Sequence, residues 1–343
     1  MTGTLLSVRG LRVGFETEEG MTVPVDGVDF HVGQGEILGI VGESGCGKSV
    51  SSFAVMGLLP QNGRVLEGSI LFEDTDLVRL DEKSMCKIRG SRISMIFQDP
   101  LTSLTPSMTI GRQVMEPFIL HRGFSAAQAR TAVIEILGQA GIPSPRLRFS
   151  EYPHQLSGGM RQRVMIAMAL AGGPKLLIAD EPTTALDVSI QAQILALIRS
   201  LRETLGMAVI LITHDMGVIA EMADRVMVMY AGKGVEYAPV ADIFQSPKHP
   251  YTRGLLRSIP SPDRDVDMLD IIPGTVPDLS GMSPGCRFFD RCGNALAKCG
   301  HTQPELTAHE DAVVACFLYD PPHIETSPRK RVLGHGPARG SSK

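Results

Sequence analysis

SGGMRQRVMIAMAL at residues 157–170 and LLIADEPTTALD at residues 176–187 decide how this chain folds. The first places a hydroxyl and two glycines at the head of a helical run. The second is a strand-length apolar run that ends in two carboxylates, Asp180 and Glu181. A strand apolar on both faces belongs in a sheet covered on both sides, which is the habit of parallel sheets. Working outward, ILGIVG, RISMIFQ, KLLIAD, AVILIT and RVMVMY repeat the pattern, separated by helix-length segments. The expected class is α/β with a parallel core. Earlier, Leu5 to Phe15 and Val23 to Val32 read as half-exposed antiparallel strands, with Gly27 and Gly33 as turn signals. Between about Leu101 and Gln155 the strand signal gives way to helical segments such as SAAQARTAVIEILGQAG, with Ser125 as expected N-cap and Gly141 as stop. A helical insertion over about 101–165 is predicted.

GESGCGKS at Gly42 to Ser49 follows the strand ILGIV and precedes a helical run, the context a phosphate-binding P-loop requires. Gly42, Gly45 and Gly47 let backbone N–H groups turn inward as a nest, and the helix N-terminus adds positive potential. Lys48 reaches the terminal phosphates and Ser49 ligates magnesium. Glu43, Ser44, Cys46 and Val50 complete the expected nucleotide-binding stretch. Phe15, an aromatic just upstream, reads as an adenine-stacking residue or as an inward-facing strand residue. Cys46, beside Lys48 and a helix N-terminus, is expected to be a reactive thiolate.

Asp180, at the end of its strand, is placed to hold magnesium through water. Glu181 points elsewhere and polarises the attacking water. His214, after AVILIT, reads as a phosphate sensor at the end of a neighbouring strand, and Gln98 ends RISMIFQ. Ser157-Gly158-Gly159 makes a second anion site at a helix start, which makes sense if it closes over a nucleotide held by another subunit.

Composition bounds the rest. The chain has 343 residues, 43% hydrophobic and 20% charged, which excludes wholesale disorder. A formal net charge of -4 gives no reason to expect nucleic-acid binding. No apolar run reaches the roughly 18 residues of a membrane span, and Thr2, Thr4, Arg9 and Arg12 do not make a signal-peptide core, so a cytoplasmic chain is expected. After about Gln245 proline becomes dense, which divides the chain into 1–245, a small accessory domain over 246–320, and a disordered tail over 321–343. Of six cysteines, Cys286, Cys292, Cys299 and Cys316 crowd into that accessory region. In a reducing compartment this suggests metal before disulfides. Their spacing lacks the Cys-x-x-Cys pairs common in structural zinc sites, which favours a four-iron, four-sulfur cluster, with zinc second and four buried thiols third.

With these residues in place, the chain resembles the ATP-binding cassette family. LSGGMRQR is similar to its signature, FQDP to its Q-loop, TTALD with Asp187 to its D-loop, and THD to its switch histidine, over residues 1 to about 245. More narrowly, FQDPLTSLTPSMTIGRQ, YPHQLSGGM, KHPYTRGLL and the four-cysteine end resemble the ATPase subunits of oligopeptide, dipeptide and nickel importers, to about residue 320. Arg287 stands where that subfamily often has proline.

The resemblance implies a P-loop NTPase (RecA-like) core and a peripheral ATPase on the cytoplasmic face of the inner membrane. Its site would use ATP and Mg2+, with Ser49, Gln98 and Asp180 around the metal and Glu181, His214 and Gln98 in catalysis. It implies a head-to-tail pair with a second such subunit, homo- or heterodimeric, in which Ser157, Gly158 and Gly159 act in trans. Two membrane permease subunits and an extracytoplasmic solute-binding protein complete the expected partners. It also implies the iron–sulfur cluster. Peptides are the first expected solute, ahead of nickel chelates, glutathione and opine- or sugar-like compounds. Chromosome-maintenance ATPases share the motifs but need a long coiled coil, for which the interval from Gln98 to Ser157 has no room. Translation factors of the superfamily carry two cassettes.

Overall fold

A computed structural model describes residues 3–18, 20–184, 186–259, 271–277 and 284–320. Five parallel strands form its centre: β3 (Ile37–Val41), β6 (Ile93–Ile96), β7 (Leu176–Asp180), β8 (Ala208–Ile212) and β9 (Arg225–Tyr230), in the order β6-β7-β8-β3-β9. β3, β7 and β8 are buried along their whole length, as runs with no polar face must be. Alternate residues serve two different cores. Leu177, Ala179, Val209 and Leu211 face helices Ile110–Arg122, Ala126–Gln139, Gly158–Leu170 and Val188–Leu205. Ile178, Ile210, Ile212 and Leu38 face the other way, with Val55 and Met56 of helix Lys48–Met56 and the buried residues of an antiparallel sheet. Each such side chain stabilises the fold by roughly 1.5–3 kcal/mol, so a sheet buried on both faces is where the chain concentrates its apolar residues.

That antiparallel sheet has the order β2-β1-β4-β5, from β1 (Thr4–Thr17), β2 (Gly20–Gly33), β4 (Gly63–Phe72) and β5 (Thr75–Asp76). It realises the expected N-terminal β subdomain, with Val8 opposite Phe30 and Ile70. The helical insertion is also present. Ser125 caps helix Ala126–Gln139 in a reciprocal capping box with Gln128, and Gly141 follows at φ +74°.

The central sheet continues beyond its parallel part. β10 (Lys233–Pro239) runs antiparallel to β9, and a late hairpin of β11 (Thr307–His309) and β12 (Ala312–Val314) pairs with β10 through Tyr237 and Val313. The edge that β10 would otherwise present is thereby paired by residues some 75 positions later. The helix-separated runs and the first two antiparallel strands were legible, whereas β11 and β12, three residues each, carry too little periodicity to be read. The expected tail, 321–343, lies outside the described residues.

Candidate functional site

All five parallel strands point their carboxyl ends to one edge of the sheet, where open α/β sheets bind ligands. Ile40, Ile212 and Asp180 lie in one row across β3, β8 and β7. The residues just beyond that row are Gly42, Thr213, His214 and Glu181. Topology alone therefore gathers positions spread over 170 residues of sequence.

The P-loop turns between β3 and helix Lys48–Met56. A Cβ on Gly42 would fall 2.2 Å from the Met229 carbonyl oxygen, and one on Gly47, at φ +97°, 2.3 Å from that of Pro24. Only glycine fits there. Gly45 differs from these two. It is exposed with Ser44, and a Cβ on it would meet nothing within 4 Å, so no close approach requires glycine at that position. Its requirement is conformational, because its φ of +80° is one that L side chains rarely adopt. The Lys48 ammonium is buried and donates to the carbonyls of Gly42 at 2.8 Å and Glu43 at 3.0 Å. These bonds hold the cation inside the ring of the loop, where a phosphate charge would meet it.

Ser49 Oγ donates to Asp180 Oδ1 at 3.0 Å. Asp180 is only 2% exposed, and its burial pushes its carboxyl above the usual range, a shift that Ser49 and Lys48 oppose and Glu181 reinforces. A desolvated carboxylate beside a hydroxyl is a donor set suited to a hard divalent cation. Glu181 departs from the strand at φ +47°, its N–H donating to the Ile212 carbonyl at 2.9 Å. That left-handed turn swings its carboxylate away from Asp180. Glu181 Oε2 accepts from Gln98 Nε2 and Thr184 Oγ1, both at 2.9 Å, and Oε1 lies 3.3 Å from His214 Nδ1. Burial raises its pKa, but the bonds from Thr184 and His214 with the charges of His214 and Lys48 more than offset this, leaving it below the ordinary value. Glu181 is thus held as a carboxylate by three groups from three different segments.

The Gln98 amide is turned toward Glu181. Phe15 is half-buried on β1, and its ring lies against Gly63, where a Cβ would approach within 2.7 Å. Val50 is half-buried against the antiparallel-sheet core. The expectation of a reactive Cys46 is overturned. Its side chain is fully buried, and desolvation raises the thiol pKa despite Lys48. The neighbours that favour a thiolate are present, but the low dielectric outweighs them.

Ser157 caps helix Gly158–Leu170, accepting from Met160 N at 3.4 Å, and stays exposed with Gly158. It lines one open groove with Gly159, Arg163, Leu186, Asp187 and Ile190. Asp187 heads helix Val188–Leu205 without a side-chain capping bond. The Ser157 helix packs mainly on β6 and the helical insertion, and the P-loop helix on β1, β2, β4 and β7. Signature and P-loop therefore sit on different neighbours.

The comparisons agree with this geometry. Residues 25–184 match the family model for ABC transporter, and residues 235–299 that for Oligopeptide/dipeptide transporter, C-terminal region. The oligopeptide transport ATP-binding protein AppD of Bacillus subtilis (strain 168) is 50% identical over 326 residues, covering 94% of this chain and 99% of AppD. The chain belongs to the ABC transporter family. The dipeptide transport ATP-binding protein DppD of the same organism is 52% identical over 318 residues, 92% of this chain and 95% of DppD. A dimeric post-hydrolysis structure of the ATP-binding cassette MJ0796, bound to ADP and Pi, superposes with a TM-score of 0.62 at 29% identity, over 68% of this chain and 98% of that one. This ABC chain is accordingly an ATPase with the cassette fold of its family. No helix among the described residues is long and apolar enough to cross a membrane.

Toward the C-terminus, Cys286, Cys292, Cys299 and Cys316 line one small pocket with Phe288, Phe289 and Pro304, and the lining is apolar. Burial first, then mutual repulsion, pushes the Cys286 thiol up to about 11, and burial raises Cys292 and Cys316. Among the described residues no three His, Cys, Asp or Glu side chains are placed to hold a single metal ion. Arg287 donates to the Ala231 carbonyl and pairs with Asp26. Sequence reasoning missed Thr184, Tyr251 and Arg291, which touch Glu181 or the P-loop. Thr184 lies in TTALD and Tyr251 in KHPYTRGLL, so both stood in motifs that carried the resemblance without any sign of their contacts, and Arg291 carried no signal.

Proposed function

We propose that this chain is the ATP-hydrolysing subunit of an importer that takes up peptides or a related small solute. Hydrolysis would be carried by the Glu181 carboxylate, held by Gln98, Thr184 and His214 beside the Ser49–Asp180 pair. That arrangement is the observation on which the reading rests. Lys48 and the N–H groups of the P-loop, with Gly42, Gly45 and Gly47 setting its turns, bind the β- and γ-phosphates, and Glu181 takes a proton from the attacking water. Ser49 and Asp180 would hold Mg2+, which would supply charge neutralisation at the transferred phosphoryl group. His214, 3.3 Å from Glu181, would bond the γ-phosphate. The exposed Ser157 and its two glycines offer N–H groups to the nucleotide of a second ATPase subunit. Two permease subunits and a solute-binding protein would complete the importer at the cytoplasmic face of the membrane, and the peptide solute follows from the names of AppD and DppD.

The C-terminal residues from about 246 to 320 are proposed to form an accessory unit holding a four-iron, four-sulfur cluster. Four thiols on one apolar pocket, with those of Cys286, Cys292 and Cys316 pushed upward in pKa, match a donor set that only a cationic centre would keep ionised. The tests use one preparation, co-expressed with the neighbouring permease genes and purified anaerobically. The chain should co-purify with the permeases and drive ATP-dependent peptide accumulation in vesicles. A chain that stays alone and hydrolyses ATP at full rate without them would overturn the importer reading. The same material should be brown, with about four irons per chain, and bleach on Cys→Ser at any of the four positions. Colourless protein with one zinc would replace the cluster.

A further inference from the structure

Glu43, the second residue of the P-loop, turns its side chain toward the C-terminal part of the chain. Its backbone N–H donates to Tyr251 Oη at 2.9 Å, 208 residues away in sequence. Both its carboxylate oxygens accept from Arg291 Nη1 at 3.1 Å. The Arg291 side chain is only 7% exposed. It directs further donors to Pro273 O at 2.8 Å, Ile272 O at 3.3 Å and Tyr230 Oη at 3.3 Å. The rings of Tyr230, Tyr251 and Phe288 pack on one another with centroids 4.7 to 5.4 Å apart. Tyr230 follows Met229, whose carbonyl seats Gly42. One face of the P-loop is therefore gripped by a buried aromatic and arginine cluster that belongs to neither β3 nor helix Lys48–Met56.

The grip reaches the phosphate-binding groups. The Glu43 carbonyl is one of the two that hold the Lys48 ammonium. The N–H groups from Ser44 onward start from the peptide that Tyr251 anchors. A nest binds anions well only when its N–H groups already converge, because ordering a free peptide at the moment of binding costs conformational entropy. We propose that Arg291 and Tyr251 are positioning residues for ATP binding, fixing Glu43 so that the P-loop and Lys48 are held in their phosphate-binding geometry. In this arrangement ATP affinity is set in part by the C-terminal segment, whatever solute is carried and whatever the cysteines hold.

The test compares Arg291→Gln, Arg291→Lys, Glu43→Gln, Tyr251→Phe and the double variant Arg291→Gln/Glu43→Gln in the full chain. Affinity is read with a fluorescent N-methylanthraniloyl ATP, KM and kcat in the assembled complex, and melting temperature without nucleotide. Arg291→Gln and Glu43→Gln should each weaken ATP about tenfold, in Kd and KM alike, with kcat within about twofold. The double variant should be no weaker than either single one, because both remove the same contact. Arg291→Lys should recover part of the loss, since it keeps the charge but not the fork. Tyr251→Phe, which removes one oxygen and keeps the ring, should weaken ATP about threefold. Losses that multiply in the double variant would overturn the proposal, as would Kd values within twofold of the parent. If Arg291→Gln fails to fold, unchanged affinity in both Glu43→Gln and Tyr251→Phe is enough to reject it. Because Kd is measured without permeases, failure of the importer reading leaves this result interpretable.

Discussion

Replacing Glu181 by Gln is the sharpest probe of the chemistry proposed for this site. The change keeps the shape of the side chain and one oxygen to accept from Thr184 and Gln98, so the positions of both neighbours should persist. It removes the negative charge that faces His214 at 3.3 Å and with it the carboxylate that takes a proton from water. General-base catalysis contributes about 100- to 10,000-fold, so at 1.36 kcal/mol per decade its loss raises the barrier by about 2.7 to 5.4 kcal/mol. The neutral amide cannot replace that base, so the whole of this loss is expected in kcat. Nucleotide affinity should stay within about threefold, because Lys48 and the P-loop are untouched. The assay is single-turnover and steady-state phosphate release in the assembled complex, with Kd from a fluorescent nucleotide. Glu181→Gly is the control. It relieves a left-handed backbone that costs a non-glycine residue about 1 kcal/mol and loses the carboxylate, so stability should hold while turnover falls. A Glu181→Gln complex that turns over within tenfold of the parent would refute the assignment.

Three further outcomes are expected. Ser157→Arg should leave ATP binding by the isolated chain intact and reduce turnover at the site built on the partner's P-loop by at least about 100-fold; loss of binding in the isolated chain would point to a role in cis. Cys46, buried and with a raised pKa, should react with maleimide far more slowly than exposed Cys86, and equal labelling rates by mass spectrometry would contradict the burial argument. Tyr237, buried and donating to the His31 carbonyl at 2.9 Å, has its pKa pushed from 10.0 to about 12 by desolvation. Its contribution is complete below the unfolded pKa and is lost as pH rises toward the folded one, about 1.4 kcal/mol by pH 11. Denaturant titrations at pH 8 and 11 should show that loss in the parent chain and its absence in Tyr237→Phe.

Much of the site was legible because its requirements are local. A P-loop needs glycines at positions of special backbone geometry, and Gly42, Gly45 and Gly47 carry that demand as residue identities. Which of them also faces a close backbone neighbour was not legible: Met229 and Pro24 crowd Gly42 and Gly47, while Gly45 has open space. Runs buried on both faces declare a covered parallel sheet, and a parallel sheet puts Gly42, Asp180 and His214 at one edge without further information. The partners of those residues were hidden too. Which groups hold Glu181, that Cys46 is buried away from water, and that Glu43 is gripped by Tyr251 and Arg291 all depend on side chains meeting across up to 248 residues. Chain order carries no record of such meetings. The same limit hid β11 and β12, which pair with each other and, through β12, with the edge that β10 offers. Periodicity and glycine placement thus determined the parallel sheet, the P-loop and the ends of β7 and β8, because each is dictated by backbone geometry within a few residues. Long-range packing decided solvation, charge partners and loop anchoring, because these arise only once distant segments exclude water from one another.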